Sequence, residues 1–264
     1  MTIGFLGCGN MGGALARAVR RADAKATICL FDTDAAKASS LAAEISAQVV
    51  PAEMLFSHSD FLFLGLKPQV LANALSALPT AVALARGTTY VSMAAGVTLS
   101  SLDAMLGGAP VIRIMPNTAV LVGEGMTVYA PSPTVTSKAR AAFLAIMAAS
   151  GKCDELPEDL IDAACAVSGC GPAFAYLFLD AMAAGGEAAG LSRERALAYA
   201  AQTIRGAMRM AVETGKTPTA LKEAVCSPGG STIEGVKVLE GRGLPALVQD
   251  AVAASFRRTK ELGK

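Results

Sequence analysis

Residues 3–12 read Ile3-Gly4-Phe5-Leu6-Gly7-Cys8-Gly9-Asn10-Met11-Gly12, a short apolar run that opens into three spaced glycines. The run predicts a strand, and the residues that follow, through Arg17, predict a helix. Each glycine has its own reason. Gly7 permits a tight strand-to-helix turn, Gly9 lets a pyrophosphate approach the backbone, and Gly12 lets helix and strand pack closely. A pyrophosphate would then lie on the free N–H groups at the helix N-terminus, where the dipole favours negative charge. An ordinary glycine-rich turn would look the same on these ten residues alone. The position at the first strand-to-helix turn, and an acid at Asp32 twenty residues beyond Gly12, select the dinucleotide site.

Asp32 ends a second β-type run, 27–31. A carboxylate there accepts hydrogen bonds from both hydroxyls of a ribose and repels a 2′-phosphate, which favours NADH over NADPH. Thr33 and Asp34 are read instead as helix-capping residues.

Outward from this motif, β-type runs at 3–6, 27–31, 61–66, 89–92, 111–115 and 126–129 alternate with helical spacing at 34–46 and 99–106. The alternation predicts an α/β domain with a doubly wound, mostly parallel sheet, the Rossmann arrangement, over residues 1–157. A helix is expected over 135–150, with Thr136 as N-cap and Gly151 as its stop. Beyond Pro157 only alanine-rich helical segments follow, at 160–189, 193–214, 219–225, 232–240 and 245–262, giving an all-helical domain over 158–264.

The totals exclude some partners. Formal net charge is +1, from 23 basic and 22 acidic residues, so no electrostatic footprint for nucleic acid or an acidic membrane is expected. Hydrophobic residues make up 53% of the chain. The most apolar stretch, 163–179, is interrupted by Ser168, Gly169, Gly171 and Pro172, and predicts a buried helix rather than a membrane span. The N-terminus lacks the basic start of a signal peptide. The six cysteines form no C-x-x-C pair, and with a single histidine they predict no metal site. Reduced thiols and a cytoplasmic protein are expected.

Other candidate site residues lie where strands end. Lys67-Pro68 closes the run 61–66, and is also readable as a solvated lysine before a helix-starting proline. Arg113-Ile114-Met115-Pro116-Asn117 ends another strand at the same edge. Met93-Ala94-Ala95-Gly96 leaves small residues where a nicotinamide ring needs room. In the carboxyl half, Cys226-Ser227-Pro228-Gly229-Gly230-Ser231-Thr232 precedes helical spacing at Ile233, Val236 and Leu239. It presents N–H groups and hydroxyls at a helix N-terminus, suited to one carboxylate or, equally, to a capped turn. The turn 168–174 reads as close backbone packing, and His58 as a surface residue.

These strings, with Ala94-Ala95-Gly96-Val97-Thr98 and above all 227–233, resemble the pyrroline-5-carboxylate reductase family in order and over nearly the whole chain. The resemblance implies a C-terminal domain that dimerises, with rings of dimers common, and hydride transfer from NAD(P)H to a cyclic imine, giving L-proline. Carried onto this sequence, it places the substrate carboxylate on the N–H groups of Gly230 and Ser231. It sets the Thr232 hydroxyl at the ring nitrogen as the catalytic contact, and Val225, Ser227 and Gly229 around the pocket, with the loop supplied by the partner subunit. It places Gly7, Gly9, Asn10, Met11, Gly12, Asp32, Lys67, Pro68, Ala95 and Asn117 along the coenzyme. Asp32 departs from the hydroxyl residue common in that family. A 3-hydroxyacid dehydrogenase relative shares the opening motif, but its helix lysine falls here on Ala175. A nucleotide sensor without catalysis would have no use for the second loop.

Overall fold

The structure is a computed structural model and describes residues 1–78 and 87–262. It forms two compact units, Met1–Cys170 with Ser255–Lys264, and Gly171–Ala254.

The first unit holds one eight-stranded sheet in the order β3-β2-β1-β4-β5-β6-β7-β8. Its strands are β1 Thr2–Leu6, β2 Thr27–Phe31, β3 Gln48–Val49, β4 Phe61–Leu64, β5 Thr89–Ser92, β6 Val111–Met115, β7 Gly125–Pro131 and β8 Gly151–Glu155. Neighbours run parallel except β6 and β7. The central strands are buried on both faces, so their sequences are continuous apolar runs rather than alternating ones. Period two still assigns the faces. Phe5, Phe63, Val91 and Ile112 enter one core layer, while Leu6, Leu62, Leu64 and Tyr90 enter the other. Phe5 stacks on Phe63 across the β1–β4 pair, with ring centroids 4.7 Å apart.

The helices of this unit are α1 Asn10–Ala22, α2 Ala35–Ile45, α3 Ala52–His58, α4 Pro68–Ser76, α5 Leu99–Leu106, α6 Ser137–Met147 and the short α7 Ile161–Ala164. Asp34 caps α2, its side chain accepting from the Lys37 amide at 3.3 Å. Thr136 caps α6 as the sequence predicts, accepting from Ala139.

Several expectations are corrected. Gly151 does not stop a helix; α6 ends at Met147, and Gly151 begins β8 at φ +121°. A side chain there would overlap Gly125 of the paired strand. Strands β3 and β8 escaped the pattern reading because one has two residues and the other, Gly-Lys-Cys-Asp-Glu, is a charged edge strand. The helix expected over 160–189 is broken. After α7 the chain widens into a π-turn, Cys165–Gly169, where the Cys170 amide donates to the Cys165 carbonyl at 3.0 Å. Pro172 has no N–H to continue a regular ladder.

The two compact units meet at residue 170. Ile161 and Cys165 are buried with Met115, Val128 and Ala130, which keeps 158–170 with the sheet.

The second unit is helical: α8 Gly171–Ala188, α9 Arg193–Thr214, α10 Pro218–Ala224, α11 Ser231–Gly241, and α12 Leu244–Leu262, whose last residues belong to the first unit. Helices α8 and α9 pair through Ala183, Ala196 and Ala200, and Gly186 admits Ala196 closely. Arg193 bonds Asp180 and reaches Glu187 at 3.7 Å. Residues 158–188 are long and apolar enough to cross a membrane by length and composition, yet only 17% of that window is buried in the chain. The expectation of a buried helix fails here: Tyr176 is 64% exposed and Leu177 73%.

Candidate active site

Strand order steps from β1 out to β3 and returns to β4, so a crevice opens where the carboxyl ends of β1 and β4 diverge. Four glycines line it. The Gly7 amide donates to Phe31 at 2.8 Å and its φ is +104°. A Cβ on Gly12 would overlap the Gly7 carbonyl, and one on Gly65 would come within 2.7 Å of the same oxygen. Above Gly9 there is open space. Gly9 caps α1 without any side-chain hydrogen bond, which leaves the first helical amides, from Asn10 to Gly12, without intrahelical acceptors. The cradle fits a pyrophosphate. Gly65 was absent from the sequence reading because it sits inside an apolar run; only its packing on Gly7 identifies it.

Asp32 is built into this loop. One carboxylate oxygen accepts from the Cys8 amide at 2.7 Å and the other from the Asp34 amide at 2.9 Å. Each oxygen keeps a further acceptor site, so the carboxylate is aimed and still able to take a ribose diol. The Cys8 thiol is pushed up to about 11 by burial and by Asp32, which keeps it protonated at neutral pH. Beside the loop opens a cleft of about 470 Å³ lined by Gly9, Asn10, Arg17, Asp34, Lys37 and Ser40 among others. Arg17 is engaged by Glu44 through two contacts of 2.5 and 2.6 Å. Lys37 and Ser40, which the sequence reading did not single out, place a cation and a hydroxyl there.

On the far side of the crevice, Lys67 is exposed and precedes Pro68, the first residue of α4, so both sequence readings of the pair are met. The turn after β5 holds Ala95 half-buried and Gly96 at φ +76°. Asn117 carries a structural load: its side-chain oxygen accepts from Ala119 and Met126, and its amide donates to the Ser168 carbonyl at 2.9 Å. Arg113 is no ligand group at the edge. It is buried at 2% exposure and paired with Glu158 and Asp162. His58 is exposed at the end of α3, hydrogen-bonded to Ser57 at 2.7 Å.

In the second unit, Val225 ends α10 and residues 226–230 turn the chain into α11. Gly229 has φ +70°. The Gly230 amide donates to the Ser227 carbonyl at 3.0 Å, so it closes the turn instead of pointing to a ligand. The open donors are those of Ser231, Thr232 and Ile233, the first residues of an 11-residue helix whose N-cap, Gly230, has no side-chain bond. Ser231 and Thr232 are exposed. Lys222 and Glu240, 2.7 Å apart, tie α10 to α11 behind the turn.

The sheet, the switch-point crevice and the glycine cradle define a dinucleotide-binding oxidoreductase of the Rossmann class. A family profile described as NADP oxidoreductase coenzyme F420-dependent matches residues 2–96, and one described as pyrroline-5-carboxylate reductase dimerisation matches 158–262. The pyrroline-5-carboxylate reductase of Methanosarcina acetivorans is 40% identical over 99% of this chain and 98% of its own length. That of Escherichia coli is 36% identical over the same shares. The crystal structure of Plasmodium falciparum pyrroline carboxylate reductase with NADP bound superposes at a TM-score of 0.90 and 29% identity, covering 100% of this chain and 98% of its own. The chain belongs to the pyrroline-5-carboxylate reductase family.

Proposed function

We propose that this chain reduces 1-pyrroline-5-carboxylate to L-proline with NAD(P)H, the final step of proline synthesis. The observation that carries the reading is the pairing, in one chain, of two helix N-termini left open to anions. One, at Asn10, lies behind a glycine cradle; the other, at Ser231, lies behind a glycine turn. The first suits a pyrophosphate and the second a small carboxylate. When bound, the coenzyme supplies a hydride. The chain's own task is positioning, because a cyclic imine is protonated readily without a strong enzymatic acid. The Ser231 and Thr232 amides hold the carboxylate. The Thr232 hydroxyl accepts the N–H of the protonated imine, and Ser227, Gly229 and Val225 line the ring. Gly9, Asn10, Met11 and Gly12 bind the pyrophosphate, Asp32 the adenosine ribose, and Lys67, Pro68, Ala95 and Asn117 border the nicotinamide half.

The protein acts as a homodimer at least, with the loop 226–232 serving the partner's coenzyme site, and assembles into rings of dimers. The apolar side chains displayed by the helical unit support this, among them Leu177, Val212 at 67% exposure and Met208 at 60%. Nucleic acid and membranes are not partners. Six free cysteines support a reducing, cytoplasmic setting. The purified protein should consume NADH or NADPH only when pyrroline-5-carboxylate is present; a folded sample inert with both coenzymes would overturn the proposal.

NADH is the preferred coenzyme and NADPH remains usable. Asp32 binds the diol and meets a 2′-phosphate as a like charge, while Lys37 and Ser40 in the adjoining cleft offset part of that repulsion. Asp32→Ser should shift the ratio of kcat/KM towards NADPH with little change in kcat. A wild type that already prefers NADPH strongly would contradict the role given to Asp32.

Thr232→Ala should lower turnover by about 1–3 kcal/mol, the worth of one hydrogen-bonding group in a site, while coenzyme affinity stays near wild type. Wild-type turnover in this variant would reduce the hydroxyl to a feature of the helix start.

A further inference from the structure

One carboxylate oxygen of Glu158 takes two donors from different elements. Arg113 Nη1 on β6 lies at 3.1 Å and the Leu99 amide, the first of α5, at 2.6 Å. The other end of the Arg113 guanidinium binds Asp162 at 2.8 Å, and its side chain is 3% exposed. Arg113 pairs in register with Ser92, the last residue of β5, whose hydroxyl accepts from the Ala94 amide at 3.4 Å. The turn 93–98 is therefore held at its start by Ser92 and at its end by Glu158. Ala95 and Leu99 also pack on the cluster of Met115, Val128, Ala130, Ile161 and Cys165.

The position of this turn gives the arrangement its meaning, and here the argument rests on the function proposed above. With its adenosine ribose at Asp32 beyond β2 and its pyrophosphate at Gly9–Gly12, a dinucleotide lays its nicotinamide over the ends of β4 and β5. That places the ring against 93–98. A guanidinium buried at the sheet edge against two part-exposed carboxylates carries a desolvation cost that an apolar residue on β6 would avoid. What the ionic group adds is direction: it fixes an amide at the end of the turn to one height.

We infer that Glu158, held by Arg113, is a positioning residue for the nicotinamide ring, acting through the turn 93–98. It touches neither coenzyme nor substrate. Its effect is the register of the turn against the ring, and a misplacement on the scale of an ångström costs up to about a hundredfold in rate.

The test compares Glu158→Ala and Glu158→Gln with wild type, and reads the coenzyme-free protein first. Hydrogen–deuterium exchange of the amides in 93–99 should be at least about tenfold faster in Glu158→Ala and less affected in Glu158→Gln, which keeps an acceptor for Leu99. In turnover, Glu158→Ala should lose about ten- to a hundredfold in kcat. The KM for the imine should hold, and the primary isotope effect on kcat with C4-deuterated coenzyme should rise as the hydride step becomes slower. Glu158→Gln should recover part of the loss. Wild-type exchange across 93–99 in Glu158→Ala would overturn the inference. So would a lower kcat matched by a lower folded fraction at an unchanged isotope effect. If the alanine variant does not fold, the glutamine variant carries both comparisons. The exchange result bears on the staple alone, whereas an inert wild type would count against the function and not against the staple.

Discussion

Gly12→Ala should remove measurable coenzyme binding, a loss of about 100-fold or more in affinity, roughly 2.8 kcal/mol. The added methyl group would overlap the Gly7 carbonyl oxygen, and that carbonyl cannot rotate away. The Gly7–Cys8 peptide plane is held by the Cys8 amide, which donates to Asp32 at 2.7 Å, and Gly65 crowds the carbonyl from the other side. Either α1 lifts from β1 or the cradle opens, and both displace the amides of Asn10 and Met11. Overpacking of this kind also costs stability, about 1–3 kcal/mol. Coenzyme titration followed by nicotinamide fluorescence, beside a thermal melt, reads both effects. Near-wild-type affinity in Gly12→Ala would show that the pyrophosphate binds elsewhere.

Leu177→Asp should produce a folded monomer without turnover. Leu177 is 73% exposed on α8, so an aspartate there costs the single chain little. In an interface between two helical units the same carboxylate would be buried unpaired, and it would convert to a neutral form or break the contact. The loop 226–232 would then have no partner site to complete. Light scattering at assay concentration gives the mass, and far-UV circular dichroism checks that α8 and α9 persist. An active monomer would refute the shared site and make each chain self-sufficient.

The sequence reading was strongest where local chemistry leaves one solution. Gly7 needs a positive φ and Gly12 a close approach, and both requirements are written in residues 3–12 themselves. Helix α5 has the bounds its spacing predicts, because Thr98 supplies an N-cap and Gly107 a left-handed end. Elsewhere the deciding partner lies far along the chain. The attachment of 158–170 to the sheet depends on Arg113, 45 residues before Glu158, and on a cluster with Met115 and Val128. Nothing in the string Glu158-Asp159-Leu160 announces a bond to Leu99. Strand β8 carries Lys152, Asp154 and Glu155, a composition that reads as loop until the β7 edge offers it a ladder.

The candidate site divides along the same line. Asp32 was legible as an acid after the second strand, but the two hydrogen bonds it accepts from the Cys8 and Asp34 amides, which aim it, were not. The loop 226–232 was legible as a glycine turn at a helix start, suited to an anion or to a cap alone. That Gly230 spends its N–H on Ser227, moving the open donors to Ser231 and Thr232, is a fact of turn geometry. Lys37 and Ser40 carry no motif, and only the cleft beside Gly9 brings them together with that loop. Arg113 was legible only as part of a string ending a strand; its burial between two acids, which makes it a tie within the fold, was not.

The central claim is that a hydride passes from the coenzyme held at Gly7–Gly12 to the imine carbon of the substrate held at 227–232. Incubating the protein with NADH deuterated in turn on each face of C4, together with pyrroline-5-carboxylate, tests it directly. One labelled form, and only one, should yield L-proline carrying deuterium at the former imine carbon, the neighbour of nitrogen that does not bear the carboxylate. Unlabelled proline from both forms, or no proline from a folded and coenzyme-binding sample, would contradict the account.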